Sequence, residues 1–364
     1  MRYKRLYNVT GEDEMDYNTN LTNSLFGIDE LTSQRTEKEC PVIGCTKDTE
    51  LIGKSTICNA HGLEIHKSTF IYYNGDNRED KKKASLRNLL PFGRDFASNY
   101  IIGNKNKAES GRLGSENSED ALTWNIFGGL LWNNKLHHFY NHLTDTNTSC
   151  NQLKLFLWGL EVDFKNQRAV LWETLKKVRK CFERDINSFY TEPDIMILGP
   201  THLVSIEAKF TSGNPIAENE KPDKEGKTPN SRKGLIERYV RPIQIDDKLI
   251  HPVMKPDEVG EKVHSQLLRM LIFTGAIAQL EDHRNWLVAN LISKTQWSKK
   301  NNNSRGKDFN DPTSLIPASV RNNFKFISWE DDIYEKVLKN DPDLVELSKY
   351  MKNKTANLQK AFEI

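Results

Sequence analysis

Glu192-Pro193-Asp194-Ile195-Met196-Ile197-Leu198, then Gly199-Pro200, then Leu203-Val204-Ser205-Ile206-Glu207-Ala208-Lys209-Phe210 is the stretch on which the fold turns. Two short apolar runs flank a Gly-Pro turn, the pattern of a β-hairpin. Side chains alternate along a strand. Glu207 and Lys209 therefore share one face, and Val204, Ile206, Ala208 and Phe210 take the other. A carboxylate and an ammonium then point side by side from an otherwise apolar strand. Charge inside a sheet is costly unless it is paired or holds a metal. Asp194 stands at the start of the first run, and 12 residues separate it from Glu207, a span that a short hairpin folds back on itself.

Two carboxylates and a lysine have a chemical use together. Phosphodiester hydrolysis needs a hydroxide near neutral pH and positive charge around the phosphorane. Mg2+ or Mn2+ provides both and prefers carboxylate oxygens. A lysine beside the metal orients water or stabilises developing charge. The plain alternative is an exposed Glu-Lys ion pair beside an ordinary Pro-Asp turn. The order of the surrounding elements favours the first reading.

Upstream, Ser118 is placed to cap a helix, with Glu119 and Asp120 in its first turn and Leu122, Ile126, Phe127, Leu130 and Leu131 at helical spacing. A strand is expected over Leu153–Val162 and a charged helix over Trp172–Asp185. Downstream, residues 211–233 are rich in Pro, Gly, Asn, Lys and Glu and read as a flexible insertion. A long amphipathic helix follows from about Val259 to Leu280, then a strand at Trp286–Ile292, a polar loop at Ser298–Asp311 and a last strand at Phe324–Ile327. The sum is an α/β domain with a central mixed sheet flanked by helices.

The segment Glu192–Leu198 with Ile206–Phe210 resembles the core of the PD-(D/E)xK nuclease superfamily. Ser118–Asn125 resembles its first core helix, and His264–Arg269 the helix after its core strands. The likeness spans roughly residues 115–335, with the sharp motifs in these short stretches. It implies a restriction-endonuclease-like fold and a Mg2+-dependent endonuclease. Asp194 and Glu207 become metal ligands, Lys209 the water-positioning or charge-stabilising group, Glu119 the additional helix acid and Gln266 an assisting residue. Glu116 lies one turn from Glu119, so spacing does not separate the two, and a first-turn Glu also needs no function beyond the helix dipole. Gln266 and Arg269 share a helix face that also suits a solvated edge. The superfamily spans restriction, recombination, repair and transposition, so double-stranded DNA, a phage-defence role and a homodimer are expectations of the resemblance rather than of composition.

A second cluster lies apart. Cys40 and Cys45 are separated by 4 residues, Cys58 and His61 by 2, and 12 residues lie between the pairs. Two close ligand pairs around a short loop suit a tetrahedral Zn2+, with His66 as an alternative fourth ligand. Gly44, Gly53 and Gly62 permit the turns, and the stretch is too polar and short to be expected to pack a core of its own. Reduced thiols without metal are the plain reading, and Cys150 and Cys181 are ordinary buried thiols. His138 and His142 have metal-compatible helical spacing, though satisfied or exposed histidines are the commoner case. Lys47, Lys54, Lys67 and Lys81–Lys83 add positive charge suited to phosphate, or simply a solvated run.

The organisation expected is an N-terminal segment 1–39, a zinc-binding module 40–75, a connector 76–114, a nuclease core 115–335 and a C-terminal helical segment 336–364. With 52 basic and 50 acidic residues the net charge is +2, so no global field advertises nucleic acid. The basic N-terminus has no apolar stretch after it, and no run is long enough to span a membrane, so a cytoplasmic protein is expected. No phosphate-binding loop of the Gly-x-x-x-x-Gly-Lys-Ser/Thr type is present. The competing functions are a zinc-containing nucleic-acid-binding regulator with an inert core, and a nuclease subunit that works only with a partner.

Overall fold

The computed structural model describes residues 39–45, 49–52, 55–66, 69–73, 75–102, 112–184, 191–210, 212–217, 232–283, 285–294, 307–308, 312–354, 362 and 364. Residues 1–38, Lys47, Gly53, Lys54, Lys67 and all of 218–231 lie outside these. A small antiparallel sheet comes first, in the order β1 (Glu50–Ile52), β2 (Ser55–Cys58), β3 (Leu63–Ile65) and β4 (Phe70–Tyr72). Contrary to the expectation from its polarity, this stretch packs a core of its own. Val42, Cys58, Leu63, Ile65, Phe70 and Tyr72 meet Ala84, because alternation in β3 and β4 gathers the few apolar residues on one side.

The main domain is built on seven strands: β5 (Lys154–Leu157), β6 (Leu160–Asp163), β7 (Arg168–Leu171), β8 (Ile195–Leu198), β9 (His202–Ala208), β14 (Asn285–Ile292) and β16 (Phe324–Ser328), in the order β16-β14-β9-β8-β5-β6-β7. β14 runs parallel to β9 and β16, and the remaining pairs are antiparallel. The Gly199-Pro200 hairpin forms as expected, closed by the Gly199 N–H donating to His202 O at 3.1 Å. The single strand expected over Leu153–Val162 is instead a hairpin. Trp158 and Gly159 both take positive φ, 51° and 83°, and reverse the chain in two residues. A Cβ on Gly159 would stand 2.6 Å from Leu175 Cδ2. Gly159→Ala is therefore expected to cost about 1–3 kcal/mol in thermal unfolding.

Each face of the sheet carries its own core. Val204, Ile206 and Ala208 of β9 and Leu287, Ala289 and Leu291 of β14 pack under helices Glu119–Thr123, Leu136–Thr144 and Val345–Lys354. Leu203, Met196 and Val288 pack on the opposite side under Glu173–Phe182, Arg232–Tyr239 and Ser265–Leu280. Ser265–Leu280 starts later than expected, after a 3-10 turn at Pro256–Glu258 and a short strand, and is buried almost all round rather than amphipathic. It supplies the crossover from β9 to β14 and lies beneath other helices as well as on the sheet. The connector and C-terminal segment are part of this core through Leu89, Leu90, Phe96, Leu347 and Met351. Residues 212–217, read as insertion, include β10 (Asn214–Ala217). This strand pairs with β13 (Val263–His264) and with β15 (Lys307–Asp308), which falls inside the stretch read as a polar loop. Between β10 and β13 in the chain, β11 (Ile243–Ile245) and β12 (Lys248–Ile250) form a separate antiparallel hairpin. Among the described residues no helix is long and apolar enough to cross a membrane.

Candidate functional site

The hairpin register pairs Ile195 with Ile206, so the next step places Asp194 across from Glu207. Asp194 is fixed from both ends. Its Oδ2 accepts from the Ala208 N–H at 3.0 Å, and its carbonyl accepts from the Trp158 N–H at 3.1 Å. The preceding residues are clamped as well. Glu183, buried, accepts from the Thr191 N–H and hydroxyl and from the Tyr239 hydroxyl, and Arg179 donates twice to Thr191 O. Glu192 leans toward Arg179 at 3.9 Å, away from Asp194.

Lys209 follows the end of β9. Its N–H donates to Leu291 O at 2.7 Å and its carbonyl accepts from Trp329 Nε1 at 3.0 Å. Its ammonium, 6% exposed, lies 2.5 Å from Glu207 Oε1 and 3.8 Å from Glu119 Oε1. Glu116 and Glu119 lie in different surroundings. Ser118 caps the helix by accepting from the Ala121 N–H, and Glu119 then reaches the strand end. Its Oε2 accepts from the Phe210 N–H and the Ser212 hydroxyl, both at 2.8 Å. Glu116 instead sits by Thr69, with its Oε2 accepting from the Thr69 hydroxyl at 3.3 Å.

Asp194, Glu207, Lys209 and Glu119 thus meet at one end of β9. Burial, with the Glu207 charge next, pushes the Asp194 carboxyl well above the usual carboxylate range. Burial also raises Glu119, against the pull of Lys209 and the Phe210 N–H. Burial alone would lower Lys209, but Glu207, Glu119 and Asp194 outweigh it and hold the ammonium charged. Three carboxyl groups share one ammonium, and the burial and crowding that raise Asp194 and Glu119 are what a divalent cation would relieve. Gln266 is half-buried in the first turn of Ser265–Leu280, and among the described residues no hydrogen bond joins it to Asp194, Glu207 or Lys209. Arg269 Nε donates to Ser265 O. Sequence reasoning missed Asn290, Asn214 and Ser212. A lone Asn within the apolar run Leu287–Ile292 was the available signal for the first.

Cys40, Cys45, Cys58 and His61 converge, with all four ligand atoms within 4.8 Å of one another. Cys40 Sγ and Cys58 Sγ stand 3.4 and 3.5 Å from His61 Nδ1, and Cys45 Sγ stands 3.9 Å from Cys58 Sγ. Tetrahedral zinc with sulfur at about 2.3 Å and nitrogen at about 2.0–2.1 Å sets its ligands about 3.5–3.8 Å apart, so this set could bind a zinc ion. Burial raises the Cys40 and Cys58 thiols, a cost that a cation offsets. His66 stands 3.4 Å from Glu64 instead, and His142 pairs with Asp332 at 2.9 Å. Among the described residues no other group of three or more His, Cys, Asp and Glu ligands reaches that spacing, the three carboxylates around Lys209 included.

The two clusters are joined by hydrogen bonds. Arg87 donates to the carbonyls of His61 and Gly62 at 2.7 and 2.9 Å. The Glu116 N–H donates to Phe70 O at 3.0 Å, beside a bridge between Ile71 and Ser115. Lys354, buried, donates to Glu116 O at 2.6 Å. The segment that leads into the Glu119 helix is thus held by the Cys/His module.

Comparison with protein-family models, with curated proteins and with solved structures finds no match to this chain.

Proposed function

We propose that this chain is a metal-dependent nuclease of the PD-(D/E)xK kind, a DNA endonuclease built on a restriction-endonuclease-like core with a zinc-stabilised module at Cys40, Cys45, Cys58 and His61. The observation that carries this reading is the meeting of Asp194, Glu207, Glu119 and Lys209 at one strand end, three carboxyl groups around a single ammonium. Asp194 and Glu207, with Glu119 beside them, are the oxygens that would hold Mg2+ or Mn2+, which when bound supplies Lewis acidity and activates water. Asp194 keeps its carboxylate against the β9 backbone, and Glu119 ties the helix to Phe210, so the acids stay in register. Lys209 presents its ammonium to a phosphate.

The closed Lys209–Glu207 pair favours a second form of the same reading, in which substrate or a partner subunit draws the ammonium away before cleavage. Double-stranded DNA, a homodimer and a role in restriction or phage defence belong to the proposal.

The test is cleavage of supercoiled plasmid with Mg2+ or Mn2+, compared with EDTA. Metal-dependent nicking or linearisation by the wild type is expected. No cutting of plasmid, phage DNA or RNA moves the assignment to a partner-dependent subunit or an inert binding module.

A further inference from the structure

Asn290 is fully buried in β14, and the parallel register pairs it directly with Glu207 on β9. Paired residues on neighbouring strands point to the same face, so the Asn290 amide stands beside the Glu207 carboxylate. Its Oδ1 accepts from Asn214 Nδ2 at 3.2 Å, and Asn214 is 1% exposed. Two amides that share one bond leave the NH2 group of one and the carbonyl oxygen of the other unused by the pair. Asn290 Nδ2 and Asn214 Oδ1 have no hydrogen-bond partner among the described residues. Ser205 Oγ, two positions before Glu207 on the same face, is in the same condition.

Leaving a buried donor unmade is destabilising, and buried polar groups are usually paired. Leu287, Val288, Ala289, Leu291 and Ile292 surround Asn290 in sequence, so an apolar residue would fit the strand better. The donor therefore makes sense as a group used in another state of the site. In the described state Lys209 pairs with Glu207. Once the ammonium turns to a phosphate, Glu207 loses that partner, and Asn290 Nδ2 is the neighbouring donor.

We propose that Asn290, held by Asn214, is a positioning residue for Glu207, a role that rests on the nuclease reading of this site. The amide keeps the Glu207 carboxylate oriented when Lys209 is engaged elsewhere. Asn214 fixes the amide and ties β10 to the sheet.

The experiment compares wild type with the Asn214→Leu, Asn290→Leu pair in the full chain, and repeats the pair in a Lys209→Ala background, where Glu207 has no ammonium partner. Replacing both amides by apolar residues removes the orphan atoms together. The expected result is an unchanged or raised Tm with kcat for Mg2+-dependent plasmid cleavage reduced about 10–100-fold and KM unchanged, the range seen when a group orienting a metal ligand is removed. The pair is also expected to lower the Tm of Lys209→Ala and not that of the wild type, since Glu207 turns to the Asn290 donor only when it has lost the ammonium. Wild-type kcat in the Leu pair, or the same Tm change in both backgrounds, overturns the proposal. If the wild type cuts no probe, the nuclease reading falls, and the Tm comparison still decides whether Asn290 acts on Glu207.

Discussion

Lys209→Ala is expected to abolish metal-dependent cleavage and to lower thermal stability in the same protein. The ammonium is 6% exposed and faces Glu207 at 2.5 Å and Glu119 at 3.8 Å. Removing it leaves buried carboxylates without a counter-charge, which typically costs about 3–5 kcal/mol. Cleavage should fall by at least about 100-fold, the loss that follows removal of one group stabilising the transition-state charge. Millimolar Mg2+ should raise the Tm of Lys209→Ala more than that of the wild type, because the cation takes over the neutralisation. Asp194→Asn should behave in the opposite way on stability. The amide oxygen still accepts from the Ala208 N–H, while the repulsion with Glu207 disappears. That variant is expected to be inactive yet at least as stable as the wild type without metal. Calorimetry and plasmid assays on the same preparations check both. A Lys209→Ala variant that cuts normally would remove Lys209 and the strand end around it from the catalytic site.

Removing the four-ligand set is expected to have the second large effect, and to reach beyond the small sheet. Structural zinc contributes on the order of 10–16 kcal/mol in isolated finger peptides, far more than the few apolar residues around Cys58 provide. The Cys40→Ala, Cys58→Ala double variant should therefore lose stoichiometric zinc and unfold residues 40–73. Arg87 grips the His61 and Gly62 carbonyls, and the Glu116 N–H bonds to Phe70 O. Loss of the module should thus raise amide exchange across residues 115–119 and at Phe210, whose N–H is held by Glu119. Cleavage should drop even though Asp194, Glu207 and Lys209 are untouched. Metal analysis and hydrogen exchange measure this directly. Full zinc content in the double variant would show that the ligand set is wrong.

The local sequence determined the hairpin, its faces and its turn. A Gly-Pro between two apolar runs and strict alternation from Val204 to Phe210 leave little freedom for a strand pair. The same logic placed Cys40, Cys45, Cys58 and His61 at spacings that a short loop can close, and Ser118 at a helix start. Trp158-Gly159 escaped because apolar residues continue on both sides, and periodicity does not register a turn made by two positive-φ residues. The burial of Ser265–Leu280 escaped because its partners are distant in sequence: Phe182 and Tyr239 pack around Phe273 from two other helices.

Tertiary structure alone decided which acid joins the strand end. Glu116 and Glu119 share a helical face in the sequence, yet only Glu119 meets Phe210, Ser212 and Lys209, because β4 and Lys354 hold the segment before it. It also brought Asn214, from a stretch that reads as loop, against Asn290, from a stretch that reads as core. Sequence pattern reports the face a residue takes within its own element. Which charges and amides then share a buried volume depends on strand register and helix docking between segments far apart in the chain, |i−j| being 91 for Glu119 with Phe210 and 76 for Asn214 with Asn290, and no local periodicity carries that information.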